Sequence, residues 1–463
     1  MLFRKLLTLV LIALPVCIDG AFADDRPNII FFLSDDHRAN VMSCAGHAVA
    51  KTPTLDRLAA QGTRFENMFV TTSICAASRA TLLSGLVERT HGYTFGKPPV
   101  SELHATHSYP ALLRKAGYRT GFTGKYGVSM RAGPDVLFEV FKPVNRNTYS
   151  RQVDGKLRHE ADVNADNAIT FLRDNPKDTP FCLSVSFNST HAEDGDKIDH
   201  YPWPPAADGM YLRQKMPPPK LGDEKVFASL PEFMQTSMNR DRWHWRWDTE
   251  HKYQTNMRAY FRMLYGLDHA IGRVLEELAT LGLAENTVII FSGDNGYYMG
   301  ERGFAGKWSH FEESLRVPLI IYDPRVEEAQ RGRVDSHMVL NIDVAPTILA
   351  YAGVEVPEHY QGEALGELVA GQQVDNWRND FFCEHLMERA DIPKWEGVRG
   401  ERFVYARYLD QDYEFLHDLK VDPDQLRNLA SDAEYQDALE TMRARCLELR
   451  DAYGGEYVSR KSR

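Results

Sequence analysis

Residues 28–37 read Asn28-Ile29-Ile30-Phe31-Phe32-Leu33-Ser34-Asp35-Asp36-His37, an unbroken apolar run that stops at two adjacent carboxylates. A short apolar run with no polar alternation reads as a strand covered on both faces. The same design recurs three times. Residues 118–123 lead into Gly124-Lys125, 181–187 into Asn188-Ser189-Thr190-His191, and 287–292 into Gly293-Asp294-Asn295-Gly296. Helical patterns over 53–61, 109–116 and 260–281 lie between these runs. Such alternation predicts an α/β fold with a large, mostly parallel mixed sheet flanked by helices. Ligands of such sheets gather beyond the carboxyl ends of the strands, so one rim is expected to collect all four polar clusters.

The texture changes near residue 355. Segments 403–409 and 413–419 read as a hairpin, followed by Asp422-Pro423 and a helix over 433–452. We therefore expect a main unit over 24–355 and a smaller C-terminal α+β unit over 356–463, with a small antiparallel sheet and a terminal helix. The stretch 192–255 is irregular, with seven prolines and a tryptophan cluster. A segment that long suggests a functional lid or rim.

Composition narrows the function. The 463 residues are 43% hydrophobic and 26% charged, which excludes a disordered chain. A net charge of -11 argues against nucleic acid as a partner, so an anionic ligand needs a local basic pocket. At the start, Arg4 and Lys5 precede an apolar run ending at Ile18, and Ala21-Phe22-Ala23 offers a small-x-small cleavage site. Residues 1–23 therefore read as a signal peptide, and the mature chain as exported, periplasmic or secreted, without stable membrane insertion. Five cysteines follow it: Cys44, Cys75, Cys182, Cys383 and Cys446. They are too sparse for a disulfide framework and form no CxxC zinc pattern.

The pairs Asp35-Asp36 and Asp294-Asn295 suggest a metal. Adjacent buried carboxylates are costly unless compensated, and a hard divalent cation such as Ca²⁺ or Mg²⁺ takes oxygen ligands of this type. The plainer reading has each pair capping a turn or helix. Cys75 opens Cys75-Ala76-Ala77-Ser78-Arg79-Ala80-Thr81-Leu82-Leu83-Ser84-Gly85, a helix pattern stopped by glycine. That puts Cys75 near a helix N-terminus, where free N–H groups favour an anion, and Arg79 on the same face. Taken alone, the pattern also suits a cysteine packed in the core.

Together these motifs resemble the formylglycine-dependent sulfatases of the alkaline-phosphatase-like superfamily, exported bacterial glycan sulfatases in particular. The likeness rests on Cys75-x-Ala77-x-Arg79, Asp35-Asp36, Ser292-Gly293-Asp294-Asn295-Gly296, residues 52–58, Gly124-Lys125, Gly306-Lys307-Trp308 and residues 312–319, and on Asp418-Leu419 with Asp422-Pro423. It implies oxidation of Cys75 to formylglycine (3-oxoalanine) by a maturing enzyme before export. It implies one divalent cation, usually Ca²⁺, held by Asp35, Asp36, Asp294, Asn295 and the modified residue 75. Arg79 would orient the formylglycine diol, Lys125 and Lys307 would clamp the sulfate, and His191 would protonate the leaving alcohol. One diol oxygen attacks sulfur; the other hydroxyl lets the sulfated intermediate collapse, which a serine could not do.

The implied reaction is release of inorganic sulfate from a sulfated carbohydrate, in sulfated-polysaccharide degradation. Trp243, Trp245, Trp247 and His310 are candidate substrate contacts, since aromatic faces beside polar groups suit sugar rings; the plainer reading of the tryptophans is a rigid packing rib inside the long insertion. Two departures stand out. Ala77 occupies a position where proline is commonest, a change that bacterial radical-type maturing enzymes accept. Gly127 stands where many members carry a histidine, and His37 and His91 are candidates to replace it. Alternatives are an aryl or alkyl sulfatase, a phosphonate or phosphodiester hydrolase of the same superfamily, and a secreted non-enzymatic glycan-binding protein. The phosphonate or phosphodiester class tends to have Asp-His where this chain has Asp294-Asn295.

Overall fold

The computed structural model describes residues 26–95, 98–145, 149–196 and 198–457. The signal-peptide reading of residues 1–23 lies outside them. The strands in chain order are β1 (Asn28–Ser34), β2 (Thr63–Phe69), β3 (Arg119–Gly124), β4 (Val140–Pro143), the hairpin β5 (Ser150–Val153) and β6 (Lys156–His159), β7 (Phe181–Ser186) and β8 (Thr287–Gly293). The short pair β9 (Tyr298–Met299) and β10 (Ala305–Gly306) follows, then β11 (Leu319–Tyr322) and β12 (Arg333–Leu340). A second sheet comprises β13 (Asp380–His385), β14 (Trp395–Gly400), β15 (Phe403–Tyr408) and β16 (Tyr413–Asp418).

Eight strands form the main sheet in the order β12-β2-β11-β8-β1-β7-β3-β4, and only β11 runs against the others. Every residue of β1 and β8 is buried. Their side chains divide between two cores. Ile29, Phe31, Leu33, Val288 and Ile290 join the core under the helices Cys75–Ser84, Tyr109–Lys115 and Val344–Tyr351. Ile30, Phe32, Ile289 and Phe291 join the core under Pro53–Gln61, Glu160–Arg173 and the long helix Glu250–Thr280. A strand with helices on both faces has no solvent side, which is why the sequence does not alternate. Burying each of these large side chains contributes roughly 1.5–3 kcal/mol.

The second sheet is antiparallel in the order β13-β14-β15-β16. One face packs on the helix Gln436–Ala452 through Phe382, Val398, Tyr405 and Leu416. The other face adds Phe381, Trp395, Ala406 and Phe415 to the main core. The observed hairpin and terminal helix lie within one to three residues of the ranges expected from sequence. No helix among the described residues is long and apolar enough to cross a membrane.

Candidate active site

Four adjacent parallel strands end at one level. Ser34 of β1 pairs with Gly293 of β8, Leu33 with Ser186 of β7, and Ser186 with Gly124 of β3. The residues that follow therefore emerge side by side: Asp35-Asp36, Asp294-Asn295, the 187–191 loop and Lys125. Backbone and side-chain bonds stitch them together. The Asp294 N–H donates to the Ser34 carbonyl at 3.0 Å, the His37 N–H to the Asn295 carbonyl at 3.1 Å, and Asn295 Nδ2 to Asp36 Oδ1 at 2.7 Å. The 187–191 loop is pinned from below by Glu160, whose carboxylate accepts from the Ser189 N–H at 2.9 Å and Ser189 Oγ at 2.6 Å.

Cys75 is the first residue of its helix, as expected, and the helix ends at Gly85 with φ 67°. Arg79 is one turn further along. Its Nε donates to Asp294 Oδ2 at 2.8 Å and its Nη1 to the Lys125 carbonyl at 2.6 Å and to Ser186 Oγ. Lys125 Nζ rests on Asp35 Oδ2, and Lys307 Nζ on Asp36 Oδ1. Lys307 follows β10, and its carbonyl accepts from Asn239 Nδ2 at 2.7 Å. His191 Nδ1 lies 2.6 Å from the Ala192 carbonyl, and its Nε2 lies 3.6 Å from Asp36 Oδ2. The structure thus brings Asp35, Asp36, Cys75, Arg79, Lys125, His191, Asp294, Asn295 and Lys307 into one buried cluster.

Electrostatics follow from that crowding. Burial alone would raise the Asp35 carboxyl, but Lys125, His191, Lys307 and Arg79 override it and hold it well below the usual range. Burial and then Asp35 push Asp294 up to about 6, against the pull of Arg79 and both lysines. Burial lowers Lys307, yet Asp36 and its neighbours outweigh that and hold the ammonium charged.

The donor set fits a divalent cation. Asp35 Oδ1, Asp36 Oδ2 and Asn295 Oδ1 are buried oxygens with no hydrogen-bond partner. Ligand atoms of Asp35, Cys75 and Asp294 lie within 4.8 Å of one another, and so do those of Asp35, Asp36 and His191. Three buried, partnerless hard oxygens on neighbouring strand ends are what Ca²⁺ or Mg²⁺ would satisfy.

A cleft of about 390 Å³ opens at Cys75, lined among others by Tyr93, Phe95, Lys125, Tyr126, Gly127 and Asn145. Sequence reasoning did not single out Tyr93, Phe95, Tyr126, Asn145, Ser186 or Glu160. None stands in a pattern that separates it from an ordinary loop or strand residue.

Several expectations need correction. Trp247 is 4% exposed and stacked on Tyr201 at 5.9 Å, so it is a packing rib and not a sugar platform. Trp243 is partly buried on the same core with Arg240 over its ring at 3.9 Å, and Trp245 is half-buried beside it. His310 is 1% exposed, with Nδ1 2.9 Å from the Tyr408 hydroxyl and Nε2 3.2 Å from His417 Nε2. It joins the two sheets and presents nothing to a substrate. Neither His37 nor His91 takes the place of a side chain at 127. His37 is tied to Ser34 Oγ and the Val41 carbonyl, both at 3.0 Å, and His91 to Thr81 Oγ1 and the Tyr93 N–H. Gly127 itself has φ 66°, and a Cβ there would lie 3.2 Å from Arg79 Cδ.

Comparison with known proteins agrees with this geometry. Residues 27–354 match the sulfatase family, and residues 300–452 match the C-terminal region of N-sulphoglucosamine sulphohydrolase. The chain is 29% identical over 479 residues to an N-acetylglucosamine-6-O-sulfatase of Bacteroides thetaiotaomicron, covering 89% of this chain and 84% of the relative. It is 25% identical to an arylsulfatase of Clostridium perfringens, over 90% of this chain and 93% of that one. A solved structure of a protein in complex with its substrate D-glucosamine-2-N,6-O-disulfate superposes with a TM-score of 0.78 at 25% identity, covering 92% of this chain and 98% of that one. The fold is shared too with the phosphonate monoester hydrolase of Agrobacterium radiobacter, at a TM-score of 0.74 and 21% identity over 92% and 96% of the chains. With the family match spanning most of its length and the clustered strand-end residues in view, this chain belongs to the sulfatase family, within the alkaline-phosphatase-like superfamily.

Proposed function

We propose that this sulfatase releases inorganic sulfate from a sulfated carbohydrate, using a formylglycine formed from Cys75 and one divalent cation, Ca²⁺ or Mg²⁺, held by Asp35, Asp36, Asp294 and Asn295. The observation that carries the reading is the meeting of the Cys75 helix N-terminus with those four oxygen donors, two lysines and a histidine in one buried cluster. The hydrated aldehyde would supply an oxygen nucleophile, and the cation would polarise the sulfate oxygens.

The chain's own residues do the rest. Three carboxylates face Arg79, Lys125 and Lys307, so the cluster is close to neutral by itself. With a dication bound, the same residues would present a net positive site, as an anionic ester requires. Arg79 bonds both Asp294 and the Lys125 carbonyl, which fixes residue 75 against the carboxylates and the clamp. Lys125 and Lys307 present compact point charges, one resting on Asp35 and the other on Asp36. The short contact from His191 Nδ1 to the Ala192 carbonyl assigns a proton to Nδ1 and leaves Nε2 as the atom that carries a second proton to a leaving oxygen. Asp36, 3.6 Å away, stabilises the cationic ring.

A carbohydrate substrate is supported by the saccharide named for two of the similar proteins. We further propose the division into units 24–355 and 356–463, export directed by residues 1–23, and maturation of Cys75 before export. The test is sulfate release from a panel of defined sulfated saccharides by protein co-expressed with a maturing enzyme. Activity that depends on Cys75 supports the reading. Hydrolysis of phosphonate monoesters with none of sulfate esters would move the assignment to the phosphonate class.

A further inference from the structure

Three residues beyond His191, Asp194 accepts two arginines at once: Arg242 Nη2 at 2.5 Å and Arg246 Nη2. The arginines are four apart on the helix Met238–Arg246 and share one face. One carboxylate against two guanidiniums leaves one positive charge in excess. Among the described residues, the two other carboxylates within electrostatic reach of Arg242 are each engaged by a cation of their own. Asp391, within electrostatic reach of Arg242, is bound twice by Arg389 at 2.5 and 2.9 Å. Asp36, also within reach of Arg242, carries Lys307.

Arg246 is fully buried, whereas Arg242 keeps 13% of its side chain exposed. The Arg242 guanidinium lies 4.7 Å over the ring of Trp308, the residue after Lys307. Two donors there, Arg242 Nε and Trp308 Nε1, have no acceptor. The group adjoins the catalytic cluster through its neighbours: Asp194 lies three residues beyond His191, Trp308 directly follows Lys307, and Arg242 is within electrostatic reach of Asp36. A histidine that protonates the leaving oxygen has the sugar on its own side, and Asp194, three residues beyond it, holds Arg242 there.

We propose that Arg242 is a specificity-determining residue: it receives a second anionic group, a carboxylate or another sulfate, on the saccharide that carries the scissile ester. The inference rests on the function proposed above. A guanidinium matches either oxyanion with paired N–H donors, and Asp194 and the Trp308 face hold it in place before binding, which lowers the ordering cost.

Matched saccharide pairs test it, each sharing the scissile sulfate and differing in a second anion, a uronate carboxylate in one pair and another sulfate in the other. The matured enzyme should favour the doubly anionic member by about tenfold or more, expressed in KM. Arg242→Gln should erase that preference by raising KM for the doubly anionic member, and Arg242→Lys should keep part of it. The pair that shows the preference tells carboxylate from sulfate. Melting curves show whether Arg242→Gln folds; if it does not, Arg242→Lys, which keeps the charge on Asp194, carries the test and must lose part of the preference. Equal losses on both members, or an intact preference in the variants, would overturn the inference. So would a wild-type enzyme that cleaves sulfate esters but ignores the second anion, which leaves the proposed function standing. Absence of sulfate release from the whole panel would remove both.

Discussion

Ser34 and Gly293 face each other in register across two parallel strands, so Asp35-Asp36 and Asp294-Asn295 leave the sheet at one height. A shift of one residue would separate the carboxylates by a strand rise and turn their side chains to opposite faces. The register is fixed by apolar residues on both faces of β1 and β8, which makes the core and the site one construction.

Conversion of Cys75 comes first. Intact-mass analysis of active protein should show residue 75 lighter than a thiol by the replacement of H₂S with O. Full activity with an unmodified Cys75 thiol would sink the mechanism. Cys75→Ser should give at most one slow turnover and accumulate a sulfated serine, visible in the same mass spectrum.

Asp294→Ala removes an anionic oxygen donor and strips Arg79 of its 2.8 Å partner. We expect metal content, read by elemental analysis, to fall well below one ion per chain, and turnover to drop about 100-fold or more. Leaving the Arg79 Nε–H buried and unpaired should also cost about 3–5 kcal/mol, seen as a lower melting temperature. A full complement of metal in the variant would exclude Asp294 as a ligand.

For His191→Ala the loss should depend on the leaving group. Sugar sulfates, with basic alkoxide leaving groups, should lose about 10²–10⁴-fold in turnover. Nitrophenyl sulfate, if it is a substrate, needs little protonation and should lose far less. Equal losses would make His191 a positioning residue.

The histidine pair at the junction of the sheets should contribute to acid sensitivity. His417 Nδ1 donates to the Arg427 carbonyl at 2.8 Å, so its bare Nε2 accepts from His310 Nε2–H, and Tyr408 donates to His310 Nδ1. Both rings are neutral in the fold, with burial pushing His417 down to about 4 and His310 well below the ordinary value. An unfolded histidine protonates near pH 6.5. The folded pair does not, so its contribution is complete above pH 6.5 and is lost as pH falls toward 4. Stability to urea should decline over that window, and His310→Phe with His417→Leu should make the decline shallower, the remainder coming from other buried neutral histidines such as His37, His91 and His385. An unchanged slope in the double variant would exclude the pair as the cause.

The sequence alone determined the features whose physics is local. Apolar runs without alternation, each ended by polar residues, dictate doubly covered parallel strands and put Asp35, Asp36, Lys125, His191, Asp294 and Asn295 at strand ends. A helix-forming stretch between Ile74 and Gly85 puts Cys75 at a helix start and Arg79 one turn on. What only the tertiary structure decided depends on the opposite surface. Trp247 and His310 carry the chemistry of sugar contacts, but Tyr201 covers one, and Tyr408 and His417 take both nitrogens of the other. His37 and His91 stand near the site in sequence or space, yet neighbours occupy their rings. Arg242 shows the converse, because its charge matters only once Asp194 is found to be shared with Arg246. Side-chain type is written in the chain; whether that chemistry is spent on a neighbour or left for a substrate is set by packing between segments far apart in sequence.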